Sequence, residues 1–344
     1  MFRNLLQDLR GGARVLLKRP AFTAVAVLSL GLGIGANTAI FTIINAVFLN
    51  PLPVEKPSRV VEVFTRDTRT VDTSANFALT PSSLPNYEDY RDRNGVFSGL
   101  AAQSFPIAVN WSGNAEPEQV NVVLASANYF DVLGVRPAAG RTFLSGEDKK
   151  VGGDTLAVLS YSLWTRRFGG NRNVLGQTLR LNGDAYTVIG VAPPNFKGTF
   201  TLAGPDVIWV PVSMRTRVLT GFALQYADNR RFRWLGMVGR LKDGVQLEQA
   251  SSSLKIIASA LEKTYPNENR GRTVELKRLS DTALGVNQQQ VLQLAGGVMM
   301  AVVGLVLLIA CVNLANLLMA QAAEREKEIT IRAAMGASRG RLVR

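Results

Sequence analysis

Few residues in this chain could do chemistry, and most of those stand in the wrong setting. Histidine is absent from the 344 residues and the one cysteine is Cys311, so His-dependent triads, Cys/His metal sites and intrachain disulfides are excluded. Ser252-Ser-Leu-Lys255 has the spacing of a serine–lysine nucleophile pair. It falls inside an amphipathic helical pattern, where both side chains are expected in water. Glu88-Asp89 and Glu147-Asp148 are sequence neighbours in turn-like or helical surroundings and read as solvated faces. Gly31, Gly33 and Ala36 match the dinucleotide fingerprint G-x-G-x-x-A, but no strand precedes them and their surroundings are hydrocarbon-like. Gly169-Gly170, followed by Asn-Arg-Asn, fits a surface turn. No lysine follows a glycine, so the sequence lacks the P-loop that cradles nucleotide phosphates. The expectation is a protein that is no enzyme and takes no cofactor.

The pattern that does stand out is topological. Pro20–Val54 and Thr282–Ala323 are free of charge, and the apolar part of the second, about 298–319, is long enough to cross roughly 30 Å of hydrocarbon. Glu324-Arg-Glu-Lys-Glu-Ile-Thr-Ile-Arg332 follows at once. The net charge of +13 invites a nucleic-acid reading until it is divided. Residues 1–19 hold five Lys/Arg against one Asp, and residues 324–344 hold six against three Glu. Much of the basicity therefore flanks the apolar blocks, where the positive-inside rule expects it, and no dense basic run remains to track a phosphate backbone. No nucleic-acid partner is expected.

Residues 1–19 read as an amphipathic interfacial helix with a basic face. Residues 20–50 are too long for a cleaved signal peptide and read as a first membrane helix. In it Gly31 and Gly35 form a small-xxx-small face for close helix packing, and Asn37, like Asn313 and Asn316 in the second block, is a candidate for interhelical hydrogen bonds. Both termini are then cytosolic and residues 51–285 lie across the membrane, with 286–323 as the second helix and its extension.

The middle region predicts mixed α and β structure. Strands are expected at 59–65, 119–124, 155–159, 232–241 and 272–278, with helices at 161–168 and 246–265. Asn182-Gly183 between two alternating runs predicts a type I′ hairpin. Strand, helix, strand over 232–278 suggests a βαβ-type unit on an open sheet.

Three blocks then resemble the MacB/FtsX-like ABC transporter permeases, in the duplicated branch of that family. They are Leu32-Gly-Ile-Gly-Ala-Asn-Thr-Ala-Ile-Phe41 with Asn50-Pro-Leu-Pro53; Ala127-Asn-Tyr-Phe-Asp-Val-Leu-Gly-Val-Arg-Pro137 with Tyr186-Thr-Val-Ile-Gly-Val-Ala-Pro193; and Arg325-Glu-Lys-Glu-Ile-Thr-Ile-Arg332 with Met335-Gly-Ala-Ser338. The resemblance implies an α+β fold: two transmembrane helices enclosing a mixed α/β periplasmic domain, with a porter-like βαβ part and a mostly β insert at about 105–225. It implies an inner-membrane permease that relays the motion of a separate ABC ATPase to that domain. By position, Glu326 to Ala337 would face the ATPase, with Glu326, Glu328, Ile329, Arg332 and Gly336 as the coupling residues. The same resemblance implies a second copy or a second permease half, and a periplasmic adaptor, as partners besides the lipid bilayer. Such permeases have four spans per transport unit, so the sequence reads as an N-terminal fragment. A two-span receptor, or an anchored extracytosolic binding protein, is the alternative that hydropathy alone allows.

Overall fold

The computed structural model describes residues 20, 23–24, 27–28, 31, 33–35, 37–38, 42, 54–69, 79–112, 118–199, 204, 206–282 and 289–335, parts of the last helical stretch by backbone alone. The interfacial helix expected at residues 1–19 lies outside them. The chain divides into two compact units, Pro51–Gln290 and Met1–Asn50 with Val291–Arg344.

In the unit Pro51–Gln290 the strands are β1 (Val60–Asp67), β2 (Leu79–Thr80), β3 (Phe97–Ser104), β4 (Ile107–Ser112), β5 (Glu118–Ala125), β6 (Ala139–Gly140), β7 (Leu156–Leu159), β8 (Thr178–Leu181), β9 (Asp184–Val191), β10 (Val207–Pro211), β11 (Leu235–Leu241) and β12 (Arg272–Arg278). The helices are α1 (Leu84–Arg93), α2 (Tyr129–Leu133), α3 (Tyr161–Phe168), α4 (Arg215–Val218), α5 (Gly221–Tyr226), α6 (Leu247–Thr264), α7 (Pro266–Asn269) and α8 (Leu279–Thr282). All twelve strands join one sheet, in which β10-β7-β9-β8-β4-β5 run side by side and β10 also pairs with β5. That last pairing, parallel from Val207 opposite Asn121 to Pro211 opposite Ala125, closes six strands into a barrel.

Alternation explains the closure. Val109, Val120, Val122, Leu124, Leu179, Leu181, Tyr186, Val188, Ile208 and Val210 share one buried cluster, so every barrel strand turns its alternate residues inward. The β8–β9 hairpin turns as expected: Asn182 and Gly183 both have positive φ, 50° and 88°, as a type I′ turn requires. Ser160 starts α3 as its N-cap, its hydroxyl accepting from Leu163 N–H at 3.3 Å, and accepts from Val207 N–H at 3.1 Å as well. One side chain thereby fixes both a helix start and the β7–β10 junction.

Outside the barrel, β3-β11-β1-β12 continue as an open antiparallel sheet. It meets the barrel through Gln103 of β3 opposite Ala125 of β5. The βαβ-type unit expected over 232–278 takes a split form. The two strands joined by α6 are not neighbours, because β1 lies between them and pairs antiparallel with both. The result is a split unit, with β11 and β12 parallel to each other across an earlier strand. Helices α1 and α6 cover one face: Tyr87, Tyr90, Leu254 and Leu261 pack with Val61, Val63, Met237 and Leu276. Burying a leucine such as Leu254 stabilises by about 1.5–3 kcal/mol.

A second cluster joins the outer side of the barrel to the other face of the open sheet. Val60, Ala101 and Val238 meet Tyr129, Phe130, Phe143, Phe196 and Trp209 there. Phe130 lies edge-on to Trp209, ring centroids 5.7 Å apart, an arrangement aromatic rings favour.

In the other unit, α9 (Gln289–Ala334) is one unbroken helix of 46 residues, and the described residues between 20 and 42 are helical. Among the described residues no helix is long and apolar enough to cross a membrane. Part of each charge-free block lies outside them, so the two-span expectation belongs with the proposal below.

Candidate coupling site

Two places bear on how a signal could pass along this chain: the charged end of α9, and the corner where the chain joins the open sheet. On α9, Glu326 is exposed and its carbonyl accepts the Thr330 hydroxyl at 2.7 Å. Ile331 and Met335 are 61% and 82% exposed. At i and i+4 they lie on one side of the helix end, so the described apolar positions there are open to a partner. Glu328, Ile329 and Arg332 lie on α9, whose description at these positions is of the backbone, and Gly336 falls outside the described residues.

The packing residues stand as follows. A Cβ added at Gly31 or Gly35 would meet no atom within 4 Å. Asn37 is half-buried, while Asn313 and Asn316 are exposed. Thr38 and Thr42 give their hydroxyl protons to the carbonyls of Ile34 and Thr38, at 2.8 and 2.7 Å. A hydroxyl satisfied within its own helix needs no outside partner.

Nothing in the sequence pattern marks the second place. Lys56 adopts a left-handed φ of 48° and leads into a 3₁₀ turn, Pro57–Arg59, immediately before β1. Arg59 reaches across 182 positions of sequence to the end of β11: its Nε and Nη2 donate to the Leu241 carbonyl at 3.1 and 2.6 Å, and its Nη1 lies 2.5 Å from Asp243 Oδ1. Glu55 N–H donates to the Leu133 carbonyl at 3.1 Å, and Arg240 Nε to the Val132 carbonyl at 2.7 Å. The incoming chain is thus tied to β11 and, through α2, to the aromatic cluster. The outgoing chain returns to the same corner, because Val61 stands opposite Arg278 and the next residue, Leu279, is buried in that cluster.

Gly134 permits this collar. Its φ is +67°, and a Cβ there would fall 2.5 Å from Glu55 Cβ, so only glycine lets the chain pass behind α2. Burial, then the neighbouring charge of Arg59, holds the Arg240 guanidinium below its ordinary pKa, with Glu55 opposing. The closeness of Gly134 to residue 55 has no local signal in the sequence.

Ser252 gives its hydroxyl proton to the Glu248 carbonyl at 2.9 Å on the exposed side of α6. Among the described residues no group of three or more His, Cys, Asp or Glu could hold a metal ion.

The profile of the family described as the MacB-like periplasmic core domain matches residues 23–257. The chain belongs to the MacB-like permease family. The Macrolide export ATP-binding/permease protein MacB of Bdellovibrio bacteriovorus is 24% identical over 207 residues, which are 59% of this chain and 29% of that protein. A probable export ATP-binding/permease protein of Pseudomonas fluorescens is 28% identical over 222 residues, 64% of this chain and 30% of its own length. The chain thus spans about 30% of the curated relatives it matches. Among solved structures, the periplasmic region of MacB from Actinobacillus actinomycetemcomitans superposes with a TM-score of 0.47 at 14% identity, covering 70% of this chain and 94% of that one.

Proposed function

We propose that this chain is a permease subunit of a MacB-like export or mechanotransmission complex. Residues 20–50 and 286–323 cross the inner membrane, both termini are cytosolic, and the mixed α/β unit lies in the periplasm. The charged end of α9 engages an ABC ATPase, and movement of that helix is delivered to the open sheet at the Arg59–Arg240 collar. In this reading ATP is hydrolysed on a separate subunit. A second permease copy or half and a periplasmic adaptor complete the assembly.

The observation that carries this reading is the continuity of α9. One helix runs through the charge-free block and on into Glu326-Lys-Glu-Ile-Thr-Ile-Arg332, about 69 Å at a rise of 1.5 Å per residue. A helix without a break moves as a rod, whereas a receptor's flexible tail would not carry displacement. The test is co-purification of a co-expressed ABC ATPase with the chain in detergent. Capture is expected with the unmodified chain and should be lost on replacing Glu326 and Arg332 with Ala. Unchanged capture by the double variant would refute the docking role of this helix end. A reporter fused within residues 110–220 that is active only in the cytosol would refute the topology.

A further inference from the structure

At the other end of the β1–β12 ladder from the collar, arginines gather. Asp67 stands opposite Arg272, the first residue of β12. Thr68 donates both its N–H and its hydroxyl to the Gly271 carbonyl, at 2.7 and 2.8 Å, which stitches the end of β1 to the turn before β12. Arg69 folds back over that turn: a Cβ built on Gly271 would fall 2.5 Å from Arg69 Cγ. Arg233, leading into β11, donates to the Thr80 hydroxyl of β2 at 2.8 Å. Arg69, Arg231 and Arg233 all act electrostatically on Arg272.

The carboxylates close to this cluster are already engaged. Asp67 accepts from Arg69 Nε and Nη2 at 3.1 and 2.9 Å. Glu262, the second carboxylate acting on Arg69, accepts from Gly271 N–H at 2.8 Å. Among the described residues, Arg272 is left with Nε and Nη1 buried and without a hydrogen-bond partner. Burial and the charge of Arg233 push its pKa below the ordinary arginine value, which marks a cation short of compensating charge. Arg240 differs in one respect: its Nε is answered by the Val132 carbonyl, and among the described residues its Nη2 is buried without a partner.

Buried donors on a cation are costly to leave unanswered, and an oxyanion answers several at once with charge-assisted bonds. Among the described residues, four guanidinium groups against two carboxylates leave two positive charges, matching a phosphate group that carries about −2 near neutral pH. We propose that the arginine cluster around Arg272 binds a dianionic phosphate group, either free phosphate or a phosphate monoester. This site is independent of the coupling reading and sits at the opposite end of the strand pair.

The test is calorimetric titration of the full chain in detergent, at fixed ionic strength, with inorganic phosphate and separately with glycerol 3-phosphate. Saturable binding of at least one is expected, and which one binds distinguishes the two sources. Arg272→Gln should weaken it about tenfold, the loss of charge-assisted bonds. Arg231→Gln, at an exposed position, should weaken it about threefold through charge alone without lowering Tm. Arg180→Gln on β8, away from the cluster, should leave binding unchanged. Absence of saturable binding by the unmodified chain would overturn the proposal, as would undiminished affinity in Arg231→Gln; that variant decides alone should Arg272→Gln fail to fold.

Discussion

The barrel and the open sheet are built from the same continuous ladder, yet they solve the problem of their edges in opposite ways. The barrel pairs β10 with β5 and so leaves no free strand among its six. The open sheet ends on β12, whose Arg272, Glu275, Lys277 and Arg278 make the outermost strand a charged one. Charge on an edge blunts pairing with other chains. Closure gives each barrel strand a paired neighbour on both sides. The open sheet depends on α1 and α6 for cover, and it alone receives both the incoming and the outgoing chain. In the proposed role, a displacement entering along those connections would meet the open sheet first, which the β3–β5 pairing and the aromatic cluster around Trp209 join to the barrel.

The largest test of that division is at the cluster itself. Trp209→Ala should cost about 3–5 kcal/mol, the range for deleting a buried aromatic, read from urea denaturation. Hydrogen exchange should show amides of β5 and β10 losing protection together with those of β1 and β11. Loss confined to the barrel would show that the two regions open separately and that the cluster does not join them.

Gly134→Ala should cost less, about 1–3 kcal/mol from the left-handed backbone strain and the close approach of Glu55. Exchange should rise at residues 54–60 and at the end of β11 while barrel amides keep their protection. Faster exchange in β7–β9 would mean that the collar supports the barrel too.

The smallest effect is a pH dependence. Asp67 lies below the usual carboxylate range, chiefly because the Arg69 guanidinium hydrogen-bonds it, with burial opposing. Its folded pKa is therefore lower than its unfolded value near 3.9. The stability it contributes is fully present above that value and is lost as pH falls through the folded pKa. In Asp67→Asn the decline in urea midpoint between pH 5 and 3 should be shallower. An identical decline would assign acid sensitivity to other carboxylates. Glu147 is the main rival: burial raises its pKa, but Arg141 and the Leu144 N–H outweigh that and hold it low.

What could be read from the sequence was local. The Asn182-Gly183 hairpin and the amphipathic pattern of α6 each announce themselves within a few residues. β3 was missed because Phe97-Ser-Gly-Leu-Ala-Ala-Gln-Ser104 is rich in small residues and shows no alternation; it is buried toward both faces once β5 and β11 flank it. Nor does sequence order say that β1 will slip between β11 and β12, since that choice is made by partners more than 170 positions away. The closing β5–β10 pair is equally non-local. Of the two coupling places, the charged helix end is visible as a composition break. The collar is not, because Arg59 is one arginine among many until Leu241 is brought beside it.

The collar has a mechanical consequence. Two adjacent antiparallel strands pulled apart at one end break their hydrogen bonds one after another, whereas strands dragged along their length must break them all together. The chain comes in at Val60 and leaves after Arg278, so a separating force on the two connections would unzip β1 from β12 starting at the Val61–Arg278 pair. Arg59, gripping the Leu241 carbonyl and Asp243, ties down the first tooth of that zipper by fastening the β1 side to a third strand. A force entering along the β1 side would load that fastening before the ladder begins to open.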